Sequence, residues 1–245
     1  GGPREGQWLE MKMDGKEASQ SFDLRSEPTV VAVNANLALL ADIEPRGLPG
    51  ARIQRVRFQG VEKGFSLDDL VIHGTAHAGE MLLEIQSKRT ISFAPSSTEF
   101  KKVCKQVAST SVQQVPEDRH RLAVATQRPS KAISGAYQDA LEWARKAESG
   151  KEFFSRVATK GVSGPEMRKF VDTFRANLLD AGIADDDDAM WRLIKRFLIL
   201  EFDFESSAPL ARSHGLFVAR QILAPGDAPR AESLWSNLIE ISFER

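Results

Sequence analysis

The stretch SLDDLVIHGTAHAGEMLLEIQSKRT, Ser66 to Thr90, contains two strand patterns around a glycine-containing loop. "DDLVIHG" reads as a short strand and "HGTAHAG" as the loop. "EMLLEIQSKRTISF" is the longest strand candidate. Side chains alternate across a strand, so Leu83, Ile85 and Ser87 point one way and Glu84, Gln86 and Lys88 the other. A strand that only builds a core has no use for Asp68, Asp69, Gln86 and Lys88. A strand pair that holds a metal ion and a phosphate does. Phosphodiester hydrolysis draws on a hard divalent cation to polarise the phosphoryl oxygen and activate a water. Mg²⁺ takes oxygen ligands, commonly one or two carboxylates with waters and substrate. Asp69 or Asp68 could supply a carboxylate, and Gln86 a carbonyl oxygen or a hold on a metal-bound water. Lys88 could orient the attacking water or stabilise charge on phosphorus, and Glu84 could be a second carboxylate. Neighbouring strands lie about 4.8 Å apart, close enough for such groups to converge. The plainer alternative is turn chemistry for Asp68-Asp69 and a solvated strand face for Glu84, Gln86 and Lys88.

Working outward, residues 29–43 read as a helix from the spacing of Val30, Val33, Leu37 and Leu40. Ile53 to Gly60 alternates as a strand, and "VEKGFS" reads as a turn. After the hairpin, Ser96 with Glu99 forms a capping-box pattern ahead of a helix. Arg121 to Thr126 reads as a buried strand, and "QRPSKAIS" breaks it. Beyond that point the periodicity is helical, apart from a possible strand at "FLILEFDFE". The composition therefore changes near residue 130. Residues 1–130 read as an α/β domain and 131–245 as a helical region.

The chain has 245 residues, a net charge of −1 and one cysteine, Cys104. The length suits one or two domains. A single cysteine excludes an intrachain disulfide and a cysteine-based zinc site. The near-neutral charge means that any nucleic-acid affinity comes from a local patch. Lys88 to Lys131 holds nine basic residues against three acids. Arg89, Lys101, Lys102 and Lys105 in it are candidate phosphate contacts, against the alternative of a solvated helix face. No apolar run is long enough for a spanning helix. The start, "GGPREGQW", has neither a signal pattern nor an initiator Met, which fits a processed end or a piece of a longer protein.

An Asp, a hairpin, then [D/E/Q]-x-K on a strand followed by a helix resembles the PD-(D/E)xK restriction-endonuclease-like superfamily. "EIQSK" is similar to its Mrr-like branch. More narrowly, "FSLDDLVIHG", "LLEIQSKRTISFAPSSTEFKKV" and the later "RLAVAT" and "WRLIKRFLILEFDFESS" resemble the double-stranded DNA endonuclease effector domain of bacterial anti-phage systems. That domain occurs in CBASS effectors and N-terminal to some STAND NTPases. The resemblance is best over residues 53–130 and looser over 131–245. It implies a restriction-endonuclease-like mixed sheet flanked by helices, with a mostly helical C-terminal region. It also implies a cytoplasmic, Mg²⁺-dependent deoxyribonuclease, with Mn²⁺ as a substitute, cutting double-stranded DNA with little sequence preference. Asp69 (or Asp68), Gln86 and Lys88 match the motif's metal-binding Asp, its [E/Q] and its Lys. Homo-oligomerisation and a fused or associated sensor or NTPase are further expectations. The family usually carries an acidic or Gln residue on its first helix, and here only Asp42 and Glu44 stand near that helix end. The departure keeps open an inactive nuclease-fold module that serves nucleic-acid binding or protein interaction.

Three other features read as structural. His73 and His77 are expected in a loop and lack the helical geometry of a zinc pair. Asp185 to Asp188 lack the Gly and distal Glu of a calcium loop and suit a helix N-terminus. Cys104 has lysines nearby but no base and reads as a buried cysteine. No GxxxxGK[ST] motif occurs.

Overall fold

The structure is a computed structural model, and it describes residues 27–58, 65–67, 69–110, 115–126, 130–202 and 209–243. It is α/β, with a five-stranded mixed sheet in the order β1-β2-β3-β4-β5. The strands are β1 (Arg52–Phe58), β2 (Leu70–Ala76), β3 (Gly79–Lys88), β4 (His120–Thr126) and β5 (Phe197–Glu201). The first three form an antiparallel meander, and β3/β4 and β4/β5 are parallel. Eight α-helices surround the sheet among the described residues: α1 (Glu27–Ala41), α2 (Thr98–Ser109), α3 (Gln138–Lys146), α4 (Gly150–Ala158), α5 (Pro165–Asp180), α6 (Asp187–Arg196), α7 (Pro209–Ile222) and α8 (Ala231–Phe243). None of the described helices is long and apolar enough to cross a membrane.

Strand alternation sorts the two faces. Ile72, Leu83, Ile85, Ala123 and Ala125 pack toward α1. Leu122, Val124, Phe197 and Ile199 pack toward α2, α3, α5 and α6, where Phe93, Phe100, Phe170 and Phe174 fill the centre with edge-on ring contacts. The α1 helix is apolar all round because both its sides are covered. Val31, Ala35 and Ala38 face the sheet, and Val33 and Leu37 face Leu216, Ala219 and Trp235 of α7 and α8. The expected single stripe through Val30, Val33, Leu37 and Leu40 is therefore not what buries the helix, and Leu40 is exposed.

Residues on both sides of position 130 contribute to one sheet and one core. β5 pairs with β4 from Leu122↔Phe197 to Thr126↔Glu201, and Phe100 and Val103 of α2 share a cluster with Phe153, Phe170 and Phe197.

Three local expectations change. The loop of the hairpin is only His77 and Ala78, so His73 lies in β2 and not in a loop. Gly79 then takes a φ of 115°, a left-handed region open mainly to glycine. The N-cap of α2 is Ser97, whose Oγ accepts from the Phe100 N–H, and not Ser96. Most of the "VEKGFS" turn and residues 127–129 of the "QRPSKAIS" breaker lie outside the described residues, and from Lys131 the rest of that breaker is already helical.

The acidic run behaves as caps and ties. Asp186 caps α6, Asp188 Oδ1 accepts from Gly150 N–H at 2.6 Å, and Asp185 and Asp187 bind Arg175. This brings the N-termini of α4 and α6 into backbone contact. A Cβ on Gly150 would stand 2.1 Å from the Asp187 carbonyl oxygen. Gly150→Ala is expected to destabilise the protein by about 1–3 kcal/mol, through overpacking against rigid backbone. A urea titration comparing midpoints with the parent chain checks it.

Candidate functional site

The β2–β3 hairpin brings the ends of the two strands together. Leu70 stands opposite Ile85, so Asp69, one residue ahead of β2, falls beside Gln86. Asp69 Oδ2 accepts from Gln86 Nε2 at 2.6 Å and from the Ser87 N–H at 2.7 Å. Asp68 lies outside the described residues, so the choice between the two aspartates rests on Asp69 alone being seen in place.

The polar row of β3 lies on one face, as the alternation predicts, and α2 runs across it. Phe100, Val103, Cys104 and Val107 of α2 are buried in the core. Beside that stripe, Gln106 Nε2 donates to Gln86 Oε1 at 3.0 Å, and Glu99 Oε2 stands 3.5 Å from Lys88 Nζ. Glu99 also accepts from Lys102 Nζ at 2.9 Å, and these cations hold its carboxyl below the usual range. Gln86 is buried, Asp69 half-buried, and the Lys88 side chain 29% exposed, so Asp69 and Lys88 form the accessible edge of the site.

Glu84 shares the row but is engaged elsewhere. Its Oε1 meets His120 Nε2 at 2.6 Å, and its Oε2 accepts from the N–H groups of Ser66 and Leu67 at 2.9 and 3.0 Å. At 2% exposure and with both oxygens bound, it is not placed to act as a second metal carboxylate. His120 Nδ1 lies 2.8 Å from Arg196 Nη2, and Arg196 Nε also donates to the His120 carbonyl at 3.2 Å. Arginine can only donate, so Nδ1 accepts and the proton of a neutral His120 sits on Nε2, facing Glu84. Burial pulls the Arg196 guanidinium below its usual pKa, and Glu117 at 3.5 Å and Glu84 act in the opposite sense. This buried chain ties α6 to β4, to β3 and to the segment leading into Asp69.

Asp42 and Glu44 do not join the site. The Asp42 carboxylate binds Arg52, and Glu44 is exposed beyond the end of α1. Arg89, Lys101, Lys102 and Lys105 are all exposed, with Lys102 occupied by Glu99. Cys104 is buried, and desolvation raises its thiol pKa far from reactivity. No group of three or more His, Cys, Asp or Glu able to hold a metal occurs among the described residues.

The residues missed by sequence reasoning are Gln106, His120 and Arg196. Gln106 flanks the buried stripe of α2 and follows Glu99 by two helical turns. That spacing marks one helix edge, but nothing in it says which strand the edge covers.

As placed, the Gln86 amide turns a donor toward Asp69, so the oxygen ligands a hard cation takes are here the Asp69 carboxylate alone unless that amide turns over. One carboxylate oxygen and one amide lie within 2.6 Å of each other. Rotating the Gln86 amide about its last torsion exchanges its N for its O. Gln106, itself an amide, can answer either orientation.

Compared with family models, curated proteins and solved structures, the chain finds no match.

Proposed function

We propose that this chain is a metal-dependent DNA endonuclease module that cuts double-stranded DNA with little sequence preference. The observation that carries the reading is the convergence of Asp69 and Gln86, with Lys88 next along the same face at the accessible edge. The order of hairpin, [E/Q]-x-K strand, helix and parallel strand in a mixed sheet supports a restriction-endonuclease-like fold. Asp69 and Gln86 would hold Mg²⁺ or Mn²⁺, and substrate phosphate and water would complete the shell. When bound, the cation polarises the phosphoryl oxygen and lowers the pKa of a water. Lys88 places its ammonium where negative charge develops on the phosphate. Glu99 holds that ammonium in position before substrate arrives. The resemblance suggests a setting in bacterial anti-phage defence, with activity controlled by assembly or by a sensor or NTPase unit.

The test is conversion of supercoiled plasmid with Mg²⁺, Mn²⁺ or EDTA over a range of protein concentrations. Asp69→Asn keeps an oxygen for the Ser87 N–H and removes the charge. It is expected to reduce metal-dependent cleavage by at least about a hundredfold with an unchanged melting temperature. Cleavage that persists in EDTA, or in Asp69→Asn, overturns the assignment.

A second reading has its own observation. With Glu84 engaged by His120 and Asp42 by Arg52, Asp69 is the one carboxylate the described residues place beside Gln86. A nuclease-fold module that binds DNA without cutting it fits that economy of ligands. Salt-dependent DNA binding with no cleavage under either metal at any concentration selects it.

A further inference from the structure

A second polar cluster lies on the same sheet face, toward the tip of the hairpin. A cleft of about 390 Å³ opens there between β1 and β2–β3, lined by Gln54, Arg55, His73 and Glu80 among others. The register sets Arg55 opposite His73 and Arg57 opposite Val71. Paired residues share a face, and Ile72 between them packs toward α1, so both arginines belong to the face that carries Gln86 and Lys88. The Arg119 guanidinium closes in against Gly79 at the hairpin tip.

Two observations mark this cluster as built for a ligand. Of the five buried side-chain polar atoms without a hydrogen-bond partner among the described residues, His73 Nε2 belongs to the cleft lining, and Thr75 Oγ1, opposite Glu80, and Arg119 Nε, against Gly79, lie toward the same hairpin tip. Buried polar groups are ordinarily satisfied, so an orphaned cluster calls for a water, ion or ligand. Arg55, Arg57 and Arg119 also have no ion pair among the described residues. Burial, with Arg55 and Arg57 nearby, lowers the His73 pKa to about 4, so its imidazole is neutral at pH 7. Guanidinium, imidazole, amide and hydroxyl donors outnumber the one carboxylate, that of Glu80. That balance suits an anion with several oxygens, a phosphate.

We propose that this cleft holds a backbone phosphate of the DNA duplex whose reacting phosphodiester lies at Asp69 and Lys88, an inference that rests on the nuclease reading of that site. His73 is four residues along β2 from Asp69, about 13 Å at strand rise. That length corresponds to about four base pairs along a duplex axis. Arg55 and Arg57 make the charged contact, and His73 gives a neutral hydrogen bond deeper in the cleft.

The experiment measures binding of a fluorescently labelled duplex by anisotropy in EDTA, across a salt series, so that cleavage plays no part. Arg55→Ala/Arg57→Ala is expected to weaken binding about tenfold or more at low salt and to reduce the log–log salt slope by about two. His73→Phe keeps the edge contact with Phe65 and removes the ring nitrogens. It is expected to weaken binding several-fold with the slope unchanged, because no counterion is released at a neutral group. Both arginines are on an edge strand, so the double variant keeps the fold, and a thermal melt verifies it. Parent-like affinity and slope in the arginine variant overturn the proposal. So does stabilisation by inorganic phosphate that His73→Phe abolishes while duplex binding is untouched, which would make the cleft a site for free phosphate. Failure of the nuclease reading shows separately, as an intact duplex affinity without metal-dependent cleavage by the parent chain.

Discussion

Arg196→Met is expected to lower the stability of the protein by about 3–5 kcal/mol, the cost of stripping one partner from a buried charge. Arg196 is 1% exposed, and its guanidinium is the cation that faces the Glu84–His120 pair from α6. Without it, His120 Nδ1 has lost its donor and the Glu84 carboxylate stays buried without its compensating charge. Methionine fills much of the same volume, so a cavity contributes little. Domain stabilities are commonly about 5–15 kcal/mol, and this single change would remove a large share. The prediction has an internal control. Glu84→Gln in the Arg196→Met background removes the stranded carboxylate, so the double variant should lose less than the two single losses combined. Urea denaturation of the four proteins of that cycle reads the coupling. Additivity would show that the two charges do not sense each other through His120.

Lys88→Ala is expected to reduce metal-dependent cleavage by about 10²–10³-fold or more while leaving the melting temperature unchanged. Lys88 Nζ stands 3.5 Å from Glu99, an exposed carboxylate shared with Lys102, and exposed pairs of this kind contribute little to stability. Its ammonium is nevertheless the cation at the open end of the Asp69–Gln86 pair. Lys88→Arg keeps the charge but replaces a compact point donor with a planar fork, and a partial loss is expected. Glu99→Gln leaves Lys88 charged and less restrained, so it should affect cleavage far less than Lys88→Ala. Cleavage by Lys88→Ala at the parent rate would remove Lys88 from the chemistry.

Much of this molecule follows from short-range rules that act on neighbouring residues. The alternation of Leu83 and Ile85 with Glu84, Gln86 and Lys88 belongs to strand geometry and holds wherever the strand is placed. The same is true of the helix after Ser97 and of the strands at Ile53, Arg121 and Phe197. The pattern of an Asp followed by Gln86 and Lys88 was legible as a motif, but the pairing of Asp69 with Gln86 depends on a two-residue turn, which sets cross-strand partners by counting along the chain. Its actual length was misread, since His73 to Ala76 carry glycine and histidine in a segment that pairs as strand.

What only the tertiary structure decided involves partners far apart in the chain. Glu84 and Gln86 occupy equivalent places in the alternation, yet one is locked to His120 and the other meets Asp69. Their difference comes from β4 and α6 closing over one end of β3, through contacts 36 and 76 residues apart that no local pattern encodes. Gln106 reaches the site because α2 crosses β3 at one particular angle, and side-chain packing in the core sets that angle. The basic cleft at Arg55 and His73 arises in the same way, from strand register rather than from any run of charge in the sequence. Periodicity along the chain determined which residues could share a face. Long-range packing decided which of them meet, which are buried, and which remain open to a ligand.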